Sequence, residues 1–192
     1  MGWRNFDETI TAEGHKVLFS GKDDKHEHGV GFLVGKDIVN TIMGRNPVSS
    51  RLITARLRAV PCNITVVQAY APTSDCDDNE TEQFYDQLQN VIDQTPKKDI
   101  LVVQVDWNAK VGKGAYENWQ GICEPLCNDD KNERGLRLLE TETYTDLFGH
   151  HKASRRWTWH SPNGQQHHQI HYRLARKRFR PGVNIARSRY WK

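Results

Sequence analysis

Residues 99–112 read DILVVQVDWNAKVG, and how this stretch is read decides the fold. Residues 100–105 form the most strand-like segment of the chain. It stops abruptly at Asp106, Trp107 and Asn108. Upstream, NITVVQAYAPT holds a second apolar strand over 64–70, stopped by Pro72. Between the two lies ETEQFYDQLQNVIDQT, residues 80–95, where Phe84, Leu88, Val91 and Ile92 recur at i, i+4, i+7 and i+8. That spacing lays one apolar stripe along a helix. Acidic residues gather at its start, where the helix dipole favours them, and PKKD ends it. Strand, helix and strand with short links make a crossover unit, so 64–70 and 100–105 are expected to share one sheet.

The remaining segments extend this frame. HKVLFSGKDDKHEHGVGFLVGKDIV predicts two short strands, 16–20 and 29–34, around a polar turn. In SSRLITARLRAV, Arg51, Ile53, Ala55 and Leu57 alternate with Leu52, Thr54, Arg56 and Arg58, as in a strand with one open face. A second helix is expected over NERGLRLLETETY, residues 132–144. RRWTWHS, the turn PNG and HHQIHYRL then predict a C-terminal hairpin, with Ile170, Tyr172 and Leu174 on one face of its second arm.

A length of 192 residues suits a single domain, here 1–192, large enough to bury a core. Only 36% of it is hydrophobic, and no apolar run is long enough to cross a bilayer. Four cysteines, Cys62, Cys76, Cys123 and Cys127, are too few for a secreted disulfide framework at this size. An intracellular, reducing compartment is expected. The net charge of +3 hides an asymmetry: no Asp or Glu follows Asp146, and eleven of the 27 basic residues do. The last 46 residues carry +11 and the first 146 carry −8. A basic segment from about residue 150 to 192 points to a polyanion such as nucleic acid, to a solvated tail or to a nuclear-import signal.

Asp106 and Asn108 stand just beyond a strand end, where open α/β sheets bind ligands. In an extended chain, residues i and i+2 project to the same side. Asp offers a hard anionic oxygen for Mg²⁺ or a base for water, and Asn a donor for a phosphate oxygen. On spacing alone, Asp-x-Asn after a strand is more often an Asx turn. Tyr70 ends the other strand of the crossover, at the same sheet edge, where its hydroxyl would suit a phosphate oxygen; a rim aromatic is the plain alternative. The histidines, including His26, His28, His167, His168 and His171, lack the long-range pairing that a zinc site needs, and Cys123 and Cys127 offer one pair only. Trp157 and Trp159 in the basic hairpin fit a core strand face better than a base-stacking platform.

Taken in order, QAYAPT, ILVVQVDWNAKVG, NERGLRLLE, RRWTWHSPNG and QIHYRLARKRFR resemble the endonuclease/exonuclease/phosphatase superfamily of exonuclease III and deoxyribonuclease I. The likeness is closest to the LINE-retrotransposon-derived craniofacial development protein 2 group, and runs from GHKVLFSG nearly to the last residue. It implies a two-sheet α/β sandwich with flanking helices, phosphodiester hydrolysis, Mg²⁺ or Mn²⁺ as cofactor, and DNA or another nucleic acid as partner, with the nucleus a plausible location. It also implies roles. Asp106 would position water, Asn108 and Tyr70 would contact the phosphate, and Thr158 would support them more weakly.

The same resemblance exposes departures. His171 stands where the family carries an Asp, and Val105 where it carries a Gly before the catalytic Asp. The family's metal-binding Glu and its terminal Ser-Asp-His motif have no counterpart in residues 1–192. The expectation is therefore a partial domain of endonuclease type with impaired catalysis. The alternative is a metal-independent nucleic-acid-binding module using Arg155, Arg156, Arg173, Arg176, Lys177, Arg178 and Arg180.

Overall fold

The computed structural model describes residues 6–22, 28–73 and 76–108, with 144–146, 159–160, 163, 167–168 and 171–176 beyond them. Two compact units divide the chain, residues 1–105 and 106–192.

In the first unit, β1 (Phe6–Ile10), β2 (Lys16–Ser20) and β3 (Val30–Val34) form an antiparallel sheet in that order. A short 3₁₀ turn, Val39–Thr41, leads into a second sheet. Its strands in this unit run in the order β4 (Ile42–Ser49), β5 (Leu52–Leu57), β6 (Ile64–Tyr70) and β7 (Ile100–Asp106). The first two pairings, β4 with β5 and β5 with β6, are antiparallel. Ile100 N–H donates to Asn63 O at 2.8 Å, so β6 and β7 start side by side and run parallel. The crossover between them is α1 (Asp78–Gln94). This is the expected two-sheet α/β sandwich.

The two sheets meet through Leu18, Val30 and Val34 on one side and Ile53 and Ala55 on the other, with Phe32, Val39, Ile42 and Tyr70 against them. Each fully buried aliphatic side chain there contributes about 1.5–3 kcal/mol. On the opposite face of the second sheet Leu52, Val67 and Ala69 are also buried, and α1 buries the stripe Phe84, Leu88, Val91 and Ile92. The helix starts where it does because Asp77 caps it: its Oδ1 accepts from Glu80 N–H at 2.6 Å. At the other end the Thr95 hydroxyl donates to Val91 O at 2.8 Å, and Pro96 follows.

On the face of Leu52, Thr54, Arg56 and Arg58 only Leu52 is buried; Thr54 and Arg56 are half-buried and Arg58 is exposed, while Ile53 and Ala55 on the other face are buried.

In the second unit, β8 (Tyr144–Asp146) pairs antiparallel with β11 (His171–Arg176), and β9 (Trp159–His160) with β10 (His167–His168). The predicted hairpin is therefore split. Residues 167–168 pair with 159–160, whereas 171–176 pair with a strand the sequence did not suggest. Tyr144, read as the last residue of a second helix, opens β8; residues 132–143 lie outside the described part, as do Cys123 and Cys127.

Candidate functional site

Tyr70 is the last residue of β6, and Asp106 is the last residue of β7. Tyr70 is tied to the first unit twice. Its N–H donates to Arg51 O at 2.9 Å, and the Arg51 guanidinium carbon stands 5.3 Å from its ring centroid, within cation–π range. The His28 ring lies 6.0 Å from the Tyr70 ring, tilted. His28 has φ +60°, a left-handed conformation that turns the chain just ahead of β3.

Arg51 is only 6% exposed. Its Nε and Nη2 donate to the same oxygen of Glu80, Oε1, at 3.0 and 2.7 Å. Nη2 also lies 3.0 Å from His28 Nε2 and 3.6 Å from the free thiol of Cys76. An arginine has donors only, so His28 Nε2 accepts and carries no proton. The Cys76 sulfur in turn lies 3.8 Å from the Thr73 hydroxyl. The hydrogen bonds from Arg51 hold the Glu80 carboxyl below its ordinary value against the opposing effect of burial, helped by the Arg51 charge and by Cys76. The remaining nitrogen of Arg51, Nη1, is buried with no hydrogen-bond partner among the described residues.

In the second unit Asp106 and Asn108 are half-buried around a buried Trp107. Asn108 N–H donates to Asp106 Oδ1 at 3.3 Å, and Asn108 has φ +47°. The chain is not extended through Asn108; an Asx turn brings the two residues together. The turn reading of Asp-x-Asn is therefore correct in geometry, with Asp106 as the last residue of β7.

The other expected site residues are placed less fully. His171, Arg173 and Arg176 lie in β11. Thr158, Arg155, Arg156, Lys177, Arg178 and Arg180 lie outside the described residues. Sequence reasoning gave Arg51, Cys76 and Glu80 no part in a site. Glu80 stood out only as a first-turn acid, because its partner is 29 residues away.

Among the described residues no three His, Cys, Asp or Glu side chains gather as they would around a metal ion. A single hard carboxylate suits Mg²⁺ only in the mode where substrate phosphate and water supply the other ligands. Asp106 is the residue that would hold it.

The chain is 34% identical to craniofacial development protein 2 of Bos taurus over 194 residues and, with the same identity, to that of Tragulus javanicus over 201. These matches cover 98% of this chain and about a third, 32% and 33%, of the relatives. Among solved structures it is similar to D. rerio TDP2 complexed with a single-strand DNA product (TM-score 0.57, 10% identity, 84% of this chain and 62% of that one). It is also similar to the endonuclease domain of TRAS1, a telomere-specific non-LTR retrotransposon (TM-score 0.54, 14% identity, 93% and 70%). A third is an endonuclease/exonuclease/phosphatase family protein from Leptotrichia buccalis (TM-score 0.53, 11% identity, 86% and 60%). The fold is that of the endonuclease/exonuclease/phosphatase proteins, and over nearly its whole length the chain is similar to about a third of craniofacial development protein 2. No family model matches it. Among the described residues no helix is long and apolar enough to cross a membrane.

Proposed function

We propose that this chain engages a nucleic-acid phosphodiester in the manner of Mg²⁺-dependent endonucleases and hydrolyses it weakly. The observation that carries this reading is the pair of parallel strands, β6 and β7, ending in Tyr70 and Asp106. The Tyr70 hydroxyl donates to a non-bridging phosphate oxygen. Asp106, whose Oδ1 already accepts the Asn108 N–H, orients the attacking water, and the Asn108 carboxamide donates to the phosphate. Thr158 plays a supporting part. Mg²⁺ or Mn²⁺, bound with the substrate, supplies neutralising charge to the phosphate. Weak turnover follows from His171. A carboxylate at this position would stabilise the imidazolium of a catalytic histidine, and an imidazole does not. Loss of one such group lowers rates on the order of 10²- to 10⁴-fold.

The test is nicking of supercoiled plasmid by the full chain in Mg²⁺ or in EDTA, with Asp106→Ala alongside. The expected outcome is slow nicking that both EDTA and the substitution abolish. Nicking that survives the substitution would overturn the assignment of Asp106. A second reading rests on the charge asymmetry: the last 46 residues carry +11. A metal-independent binding module using Arg155, Arg156, Arg173, Arg176, Lys177, Arg178 and Arg180 would show no nicking and an affinity for DNA that falls steeply with salt.

A further inference from the structure

We propose that Arg51 is a positioning residue for Tyr70, fixing the phenol at the strand end for the phosphodiester. The inference rests on the endonuclease-type reading for its purpose, and on the first unit alone for its geometry.

Arg51 grips the same residue twice, by its carbonyl to the Tyr70 N–H and by its guanidinium across the ring. The guanidinium is itself fixed from three directions: Glu80 in the first turn of α1, Cys76 just before that helix, and His28 just before β3. Glu80 reveals the preference most clearly. As the third residue after the Asp77 cap it has the position from which a capping-box carboxylate returns to the cap's own N–H. Its N–H does bind Asp77, but its carboxylate is given to Arg51. Stability alone does not account for this arrangement. A buried cation with one nitrogen unpartnered is often matched or bettered by an apolar side chain of similar volume, and a buried unsatisfied group in a native fold calls for a reason. The reason here is orientation. Five donors in a rigid plane hold a ring at a set angle, which a methionine or a lysine cannot do.

The test uses the full chain with ring-¹³C tyrosine. It contains six tyrosines, and the resonance lost in Tyr70→Phe identifies Tyr70. In Arg51→Met the Tyr70 resonance is expected to shift while the other five stay in place. Arg51→Lys, which keeps the charge without the plane, is expected to restore it only in part and serves as the readout should the methionine variant not fold. An unmoved Tyr70 signal in either folded variant, or equal shifts in all six, would overturn the proposal. Where the wild type nicks DNA, Arg51→Lys is expected to lower kcat on the order of 10- to 100-fold with KM for the plasmid unchanged. A wild type that does not nick defeats the endonuclease reading and leaves the resonance shift to decide the positioning role.

Discussion

An arginine stands near each end of strand β5, and the two are treated differently. Near its C-terminus Arg56 forks onto Asp99, with Nε 2.7 Å from Oδ2 and Nη2 3.1 Å from Oδ1, while the Thr65 hydroxyl donates to Oδ2 at 3.0 Å. Both oxygens of Asp99 are used, and its exposure is zero. Just before the N-terminus of β5, Arg51 places two nitrogens on one oxygen of a carboxylate that is 44% exposed, and keeps a third nitrogen without an acceptor among the described residues. The lower pair closes its hydrogen-bond account beside the starts of β6 and β7. The upper pair leaves capacity over beside Tyr70, at the carboxyl ends of the parallel strands where α/β sheets bind ligands. Identical residue types are thus bonded differently at the two ends, and what separates them is completeness.

The largest effect expected is at the lower end. Arg56→Met strands the Asp99 carboxylate in the interior with Thr65 as its remaining donor, and a buried charge deprived of its partner costs about 3 kcal/mol or more. Urea unfolding at neutral pH measures it. A loss below about 1 kcal/mol would mean that the lower pair is no more structural than the upper one, and the comparison would fail.

Acid sharpens the same contrast. Hydrogen bonds from Arg56, then from Thr65, hold the Asp99 carboxyl below its ordinary value although burial opposes them. A carboxyl whose folded value is depressed stabilises fully above its unfolded value, about 4, and loses that stabilisation as pH falls through the folded value. Asp99→Asn should therefore lower stability at pH 7 and less at pH 3, so the gap between variant and wild type narrows in acid. Glu80 is depressed in the same direction by Arg51, but its exposure lets solvent screen the pair, and Glu80→Gln should narrow less. Denaturant midpoints across pH 3–7 for both variants would show equal narrowing if the two ends were alike.

How far all this was legible depends on distance along the chain. The strands at 64–70 and 100–106 and the helix between them announced themselves because their apolar periods are local. β1, FDETI, did not: all five residues are exposed, so no buried alternation marks it. β4 carries Gly44 and Pro47 inside a strand, and both sit where its register with β5 shifts, so no regular strand pattern marks it. Asp106, Asn108 and Tyr70 were legible as strand-end residues. Arg51 and Arg56 were not, since each reads as a solvent-facing charge until partners 29 and 43 residues away are known. Ion pairs of that span leave no periodicity to find.

A smaller effect is expected where the upper end meets α1. Asp77 caps the helix through Glu80 N–H, and Asp77→Ala should cost about 1 kcal/mol. The helix stripe stays buried in that variant, so circular dichroism should keep its amplitude while the thermal midpoint falls. A cost of the size expected for Arg56→Met would move the structural weight to the upper end.

The smallest stability change is expected from Arg51→Met, and it separates the two ends most sharply. Removing Arg51 strands no buried carboxylate, because Glu80 is half exposed and sits in the first turn of α1, where the helix dipole favours a negative charge. It also removes a guanidinium nitrogen that had no acceptor. The midpoint should stay within about 1 kcal/mol of wild type, against the larger loss for the same chemical change at Arg56. Set beside the tyrosine spectrum, a stable fold with a displaced Tyr70 ring would show that Arg51 holds a side chain in place and contributes little to holding the fold. A loss equal to that of Arg56→Met would make Arg51 a second structural pair, and the surplus donor beside Tyr70 would lose its claim to function.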